Sequence, residues 1–139
     1  MNDNLKYRMY SLVLRQLNPI QKGVQTTHGV IEYVNLYDQE YDYIKWSKVD
    51  KTLVILDGGT SPELDDIISE LKRNMIHFSL FKEEDLSELT TSVCFLASEH
   101  VWNDEYEYLY ENPELIEVDS QTYRDYILKK IISRCRLSH

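Results

Sequence analysis

The chain predicts an α/β fold, a single domain with a mixed four-stranded β-sheet flanked by helices, and three observations predict it. Apolar runs of strand length occur four times along the sequence. Amphipathic stretches with helix-start signals separate the early runs, whereas the last two are joined by a short acidic loop. Strands separated by helices pair in parallel and directly joined strands pair antiparallel, so the sheet is mixed. A chain of 139 residues is long enough to bury a core without staples.

The first run, Tyr10-Ser11-Leu12-Val13-Leu14-Arg15, is rich in apolar and β-tolerant residues and reads as a largely buried strand. Asn18-Pro19 then starts a helix, with a capping side chain followed by proline in the first turn. Ile20, Val24, Thr27, Ile31 and Val34 recur at spacings of three and four, which predicts that this stripe meets the core. Gly23 and Gly29 weaken the helix and suggest that something approaches it closely, and it should fade near Tyr37-Asp38. Residues 38–51 read as a long polar connection with exposed rings at Tyr41, Tyr43 and Trp46.

Thr52-Leu53-Val54-Ile55-Leu56 is the second strand, ended by Asp57-Gly58-Gly59. Ser61-Pro62 caps the next helix, where Leu64, Ile67, Ile68 and Leu71 form an i, i+3, i+4, i+7 stripe. Its acids Glu63, Asp65 and Asp66 lie early and Lys72 and Arg73 late, matching the helix dipole. Ile76–Phe81 reads as the third strand, 82–91 as an acidic loop, and Ser92–Ala97 as the fourth strand. An acidic, tyrosine-rich stretch runs to Asp119, followed by a helix from about Ser120 to Arg134 with Tyr123, Ile127, Ile131 and Cys135 on one stripe. Residues 1–99 thus form the α/β core, and 100–139 an acidic linker and C-terminal helix packed on the same domain.

The bulk properties exclude several roles. No apolar run reaches bilayer-spanning length, and the start Met1-Asn2-Asp3-Asn4-Leu5-Lys6 lacks the apolar stretch of a secretion signal. Cys94 and Cys135 are far apart and make neither a metal spacing nor a disulfide framework, so a reduced cytoplasmic setting is expected. A net charge of −9 argues against indiscriminate binding to nucleic acid or anionic membrane. The charge is uneven: Lys6, Arg8, Arg15 and Lys22 make the N-terminal segment mildly basic, while acids dominate from Glu83 to Asp119. A polyanionic ligand is therefore expected on the N-terminal side. Tyrosine is abundant, with 11 residues against 4 glycines and 3 prolines, a balance associated with phage proteins.

Standard catalytic signatures are absent. Gly58-Gly59 lacks the remaining glycines and the lysine of a phosphate-binding loop, the four histidines are too scattered for a metal cluster, and no serine sits in a Gly-x-Ser-x-Gly elbow. His77-Phe78-Ser79 is half of a paired His-x-Ser/Thr phosphoesterase signature without its second half. No cofactor and no metal are expected. One constellation remains: Gln21, Lys22, Gln25, Thr26, Thr27 and His28 crowd the start of the first helix, where polar side chains suit an anionic or carbonyl ligand, or simply form its solvated face.

The order of these segments resembles the type 2 peptidyl-tRNA hydrolase family over roughly residues 8 to 99. That family carries a basic, glycine-containing turn, then Ala-Ala-Gln and Ser-His-Ala on its first helix; Gln25 matches its glutamine and His28 its histidine. Ser79 to Leu89 resembles the strand and loop that hold the family's Asp-Ala-Gly-x-Thr-x-Ile, with Glu83 at the aspartate and Ser87 at the threonine. Thr91-Ser92-Val93-Cys94-Phe95-Leu96 resembles its last strand with a Ser/Thr, here Ser92. The family's lysine, four residues before the glutamine, falls on Gln21; Lys22 lies one place later, about 100° further round a helix. The Pro-Gly of the following loop is missing.

The resemblance implies hydrolysis of the ester between peptide and tRNA. Gln25, Glu83 and Ser87 would be catalytic, and Arg15, Lys22, Thr26, His28 and Ser92 would bind substrate. Such a reaction needs an activated water, an anchor for the carbonyl and neutralised phosphate. Glu83 suits the first task, Gln25 the second, and Lys22 or Arg15 the third. On its own residues His28 reads as a packing histidine, and Cys94 as an inert core thiol. The alternative is a non-catalytic binding or regulatory protein on the same fold. It would engage a protein partner, or a second copy as a homodimer, through the acidic tail and the aromatics Tyr41, Tyr43 and Trp46. A third expectation is an enzyme acting on a different tRNA-linked or nucleotide ester.

Overall fold

In the computed structural model, which describes residues 5–137, the chain forms a mixed sheet in the order β3-β4-β1-β2-β5. Its four principal strands are β1 (Tyr7–Leu14), β2 (Leu53–Gly59), β3 (Ser79–Glu83) and β4 (Leu89–Ser98), and a two-residue strand β5 (Arg136–Leu137) is added at the β2 edge. β1 and β2 are parallel, joined through helices α1 (Pro19–Tyr37) and α2 (Tyr41–Lys45); β4 runs antiparallel to both β1 and β3. Helix α3 (Ser61–Arg73) links β2 to β3, a short α4 (Glu107–Glu111) follows β4, and α5 (Gln121–Arg134) precedes β5. Met1 to Asn4, part of the start read for a secretion signal, and residues 138–139 of the C-terminal segment lie outside the described residues. Among the described residues no helix is long and apolar enough to cross a membrane.

One face of the sheet carries the main core. Tyr10, Leu12 and Leu14 of β1 and Val93, Phe95 and Ala97 of β4 alternate onto it, as the two-residue period of a strand requires. The cap of α3 is Thr60 rather than the expected Ser61, because Thr60 forms the reciprocal capping box with Glu63; Ser61 and Pro62 fall in the first turn. Its predicted stripe, Leu64, Ile67, Ile68 and Leu71, is buried throughout. α5, capped by Ser120, adds Ile127, Leu128 and Ile131 to the same cluster, with Tyr123 and Cys135 half-buried beside them. The two helices are also joined by charge: Glu70 meets Arg134 Nη2 at 2.8 Å and Lys130 Nζ at 3.2 Å. Burial alone would raise the Glu70 carboxyl, but these bonds hold it below the usual carboxylate range.

The opposite face departs from expectation. α1 starts where Asn18-Pro19 predicts, in a capping box with Gln21, and ends at Tyr37. The stripe that meets the sheet, however, is Gln25, Thr26, Gly29 and Tyr33. Ile20, Val24 and Ile31 point outward, 81, 48 and 51% exposed, and Thr27 is exposed with them. The physical reason lies in the sheet, which offers α1 hydroxyls rather than a continuous apolar surface. Ser11 Oγ and Thr26 Oγ1 are 2.8 Å apart, and Ser79 Oγ donates to the Gly29 carbonyl at 2.7 Å. A polar helix face satisfies those groups, and an apolar one would leave them unpaired.

Gly29 accounts for the closeness of that contact. A Cβ there would lie 2.6 Å from Ser92 Oγ and 2.7 Å from Cys94 Sγ, so the expected close neighbour is the sheet itself. Gly23 has nothing within 4 Å of such a Cβ, and the expectation fails there. Residues 41–50 are also corrected. They form α2 and a π-helical turn (Trp46–Asp50), and their rings are not an exposed set. Trp46 is buried and donates Nε1–H to the Thr52 carbonyl at 2.7 Å; with Met9, Tyr33, Cys94 and Leu96 it makes a second, smaller core. Strand limits move too: Ile76–Phe78 precede β3, and β4 begins inside the expected loop.

Candidate functional site

Gln25 sits near the start of α1, one turn before the glycine contact, and that contact carries its side chain over the ends of β3 and β4. Its amide is held at both ends. Nε2 donates to Glu83 Oε2 at 2.9 Å, and Oε1 accepts from Thr91 Oγ1 at 2.7 Å. The Gln25 backbone carbonyl also accepts from Ser92 Oγ at 2.7 Å. This orients the amide unambiguously, because an inverted amide would face a carboxylate with its oxygen.

Two successive strand residues reach one glutamine because the β3–β4 ladder is irregular. Phe81 pairs with Ser92 and Lys82 with Thr90, so Thr91 is the extra residue of a β-bulge. Thr91 is fully buried and also contacts the Phe81 carbonyl at 3.3 Å. Sequence reading selects Ser92 here and misses Thr91. The only available signal is the adjacent hydroxyl, since strict alternation sends neighbours to opposite faces.

Glu83 ends β3 and is half-buried, with its Oε1 3.5 Å from the Asp85 amide nitrogen. The following turn folds back on it: the Glu88 N–H donates to the Glu83 carbonyl at 3.1 Å. Ser87 and Glu88 occupy the left-handed region, φ 57° and 62°, uncommon for residues with a Cβ. Ser87 is exposed on this turn.

The remaining expected residues divide into two groups. Arg15 follows β1 and donates Nε–H to Asp57 Oδ2 at 2.8 Å, while its side chain remains 58% exposed. Burial would raise the Asp57 carboxyl, but the bonds from Arg15 and the Gly59 amide hold it below the usual range. Lys22 is half-buried in the first turns of α1. His28 is exposed and stacks on Phe81, with ring centroids 4.4 Å apart and planes inclined by 12°. Thr26 is buried against Ser11 and faces the sheet. The structure therefore joins Gln25, Glu83, Thr91 and Ser92 directly, places His28 and Lys22 on the same helix, and turns Thr26 inward.

Arg8, counted with the basic N-terminal segment, lies over the Trp102 ring at 3.9 Å from Cζ to the centroid. Cys94 is buried, and burial pushes its thiol up to about 11, as an inert core cysteine requires. Both cysteines are free thiols. Among the described residues no three His, Cys, Asp or Glu side chains converge to hold a metal ion.

Chemically, the arrangement presents a fixed amide beside a partly exposed carboxylate at the carboxyl ends of the parallel pair, the end of an open α/β sheet where ligands commonly bind. The carboxylate can accept a proton from water. The amide's second N–H can donate to a carbonyl oxygen. No family model matches the chain, and no curated protein does either.

Proposed function

We propose that the chain hydrolyses an ester of the peptidyl-tRNA type, in the manner implied by its resemblance to the type 2 peptidyl-tRNA hydrolases. The observation that carries this reading is the bonded set Thr91–Gln25–Glu83, which joins the resemblance's glutamine and carboxylate at 2.9 Å from segments 58 residues apart. In the proposed reaction Glu83 removes a proton from water, and the water oxygen attacks the ester carbonyl. The second N–H of Gln25 meets the oxygen that becomes negative. The tetrahedral intermediate then collapses, the bond between the carbonyl carbon and the ribose oxygen breaks, and the proton held by Glu83 passes to that departing oxygen, leaving the ribose hydroxyl and the free peptide carboxylic acid. Arg15 and Lys22 flank this end of the sheet and suit phosphate.

The test is release of peptide from peptidyl-tRNA by the purified protein and by Gln25→Ala and Glu83→Ala. Turnover should fall by about 100-fold in Glu83→Ala, the usual contribution of a positioned general base. Undiminished turnover in both variants, or none from the folded parent chain, overturns the reading.

A second reading, a binding protein without catalysis, is favoured by one observation: the outward ridge of Ile20, Val24 and Ile31 lies on the helix that carries Gln25. Salt separates the two. Association with tRNA weakens steeply as salt is added, whereas an apolar contact with a protein does not.

A further inference from the structure

A cavity of about 590 Å³ opens at the other end of the sheet, where β1 begins and β4 ends, between α2 and α5. Nothing in the proposed hydrolysis uses it. Among the described residues that line it, Glu40, Asp42 and Asp125 outnumber one formal cation, Arg124, with the imidazoles of His77 and His100 beside them. Arg124 donates from Nη2 to Gln121 Oε1 at 3.0 Å and from Nη1 to the Asp119 carbonyl at 3.4 Å, so its hydrogen bonds go to neutral acceptors.

Asp125 is the informative residue. It is 2% exposed, yet it lines the cavity. Its Oδ1 accepts from Gln121 Nε2 at 3.0 Å, but among the described residues its Oδ2 comes no nearer to a basic nitrogen than 3.8 Å, at His100 Nδ1, too far for a good hydrogen bond. A buried carboxylate with an oxygen so poorly matched is costly unless something compensates it. Tyr7 beside them registers both the burial and the acids. Burial and the charges of Asp42 and Asp125 push the Tyr7 hydroxyl up to about 12. Burial raises both the Asp42 and Asp125 carboxyls.

The walls decide the class of cation. Tyr7, Tyr33 and Tyr41 are among the lining residues, and an aromatic face attracts an ammonium group as well as excluding water from it. No metal shell converges among the described residues, and a bare inorganic ion would leave most of this volume unfilled. The volume falls within the range of pockets for small organic molecules. We propose that this cavity binds a small organic ammonium ion, with Asp125 and Asp42 facing the charge and the tyrosine rings enclosing the alkyl part.

The experiment is calorimetric titration at low ionic strength with spermidine and, separately, with choline, which distinguishes a protonated amine from a quaternary one. Sodium chloride at matched ionic strength is the blank. Saturable binding of at least one probe is expected, weakened tenfold or more in Asp125→Asn and in Asp42→Asn but unchanged in Glu84→Gln on the distant β3–β4 turn. Circular dichroism and thermal melting establish that each near-isosteric variant is folded. Failure of both probes to saturate, equal binding in the Asn variants, or an equal loss in Glu84→Gln overturns the assignment. None of these outcomes depends on whether peptidyl-tRNA is cleaved.

Discussion

The two faces of the sheet are held by different chemistry, and the difference teaches where sequence patterns are informative. Toward α3 and α5 the contact is apolar: leucine and isoleucine stripes meet Leu12, Val93 and Phe95. Toward α1 much of it is a set of short hydrogen bonds between Ser11, Ser79, Thr91 and Ser92 and a helix face of Gln25, Thr26 and Gly29. The first contact gains from any well-shaped apolar group. The second needs each donor opposite its acceptor, and a helix close enough to bring them together. The candidate catalytic set belongs to the second kind. Its geometry is the helix–sheet contact itself, extended to Glu83.

The comparison can be broken or sharpened by substitution. Leu71→Ala should cost about 2–5 kcal/mol in urea unfolding, the usual price of a cavity in an apolar core, with hydrolysis little changed after correction for folded fraction. A similar loss of activity per folded molecule would show that the two faces are not separable. Gly29→Ala should cost about 1–3 kcal/mol through overpacking against Ser92 and Cys94, and here activity should fall with stability. The control is Gly23→Ala, which meets nothing and should stabilise the helix by up to about 1 kcal/mol.

Acid sharpens the contrast further. The Glu70 carboxyl is held low in the folded protein, so its stabilising pairing with Arg134 and Lys130 is present above the ordinary carboxylate range. It is lost as pH falls through the folded value. The stability difference between the parent chain and Glu70→Gln should therefore shrink on going from pH 7 to pH 3. An unchanged difference would mean that the charges add nothing to the α3–α5 contact. The smallest effect belongs to Ile31→Lys on the outward side of α1, which should shift stability by less than about 0.5 kcal/mol. A loss of several kcal/mol would contradict the orientation of that helix.

Much of the fold was legible. The four principal strands, the starts of α1, α3 and α5, and the α3 stripe follow from local pattern, from turn and capping residues and from apolar runs that meet the core, although the α3 cap lies at Thr60 rather than Ser61. The stripe on α1 was not legible, because a hydrophobicity pattern counts Gln25, Thr26 and Gly29 as surface and Ile20 and Ile31 as core. Serines inside the apolar runs, at Ser11, Ser79 and Ser92, were the visible sign that one sheet face is polar. At the site, Gln25 and Glu83 were named through resemblance and are bonded in the structure. Thr91 was hidden by a bulge, which breaks the two-residue alternation without leaving a glycine or proline to mark it. The pairing of Asp125 and Asp42 around one cavity depends on α2 and α5 converging, and no spacing within either segment announces it.

The inverted orientation of α1 also bears on how the chain reaches its native state. At 100° per residue, the ridge of Ile20, Val24 and Ile31 lies about half a turn from the centre of the buried stripe of Gln25, Thr26, Gly29 and Tyr33. Early collapse driven by apolar burial therefore favours docking α1 with the wrong side inward, a local conflict of the kind that roughens a folding landscape. Reaching the native register then requires the helix to detach, rotate and settle where only a residue without a Cβ fits. Refolding should show a slow phase that disappears when Ile20, Val24 and Ile31 are replaced together by glutamine. The outward ridge would then be a kinetic burden that the equilibrium structure conceals.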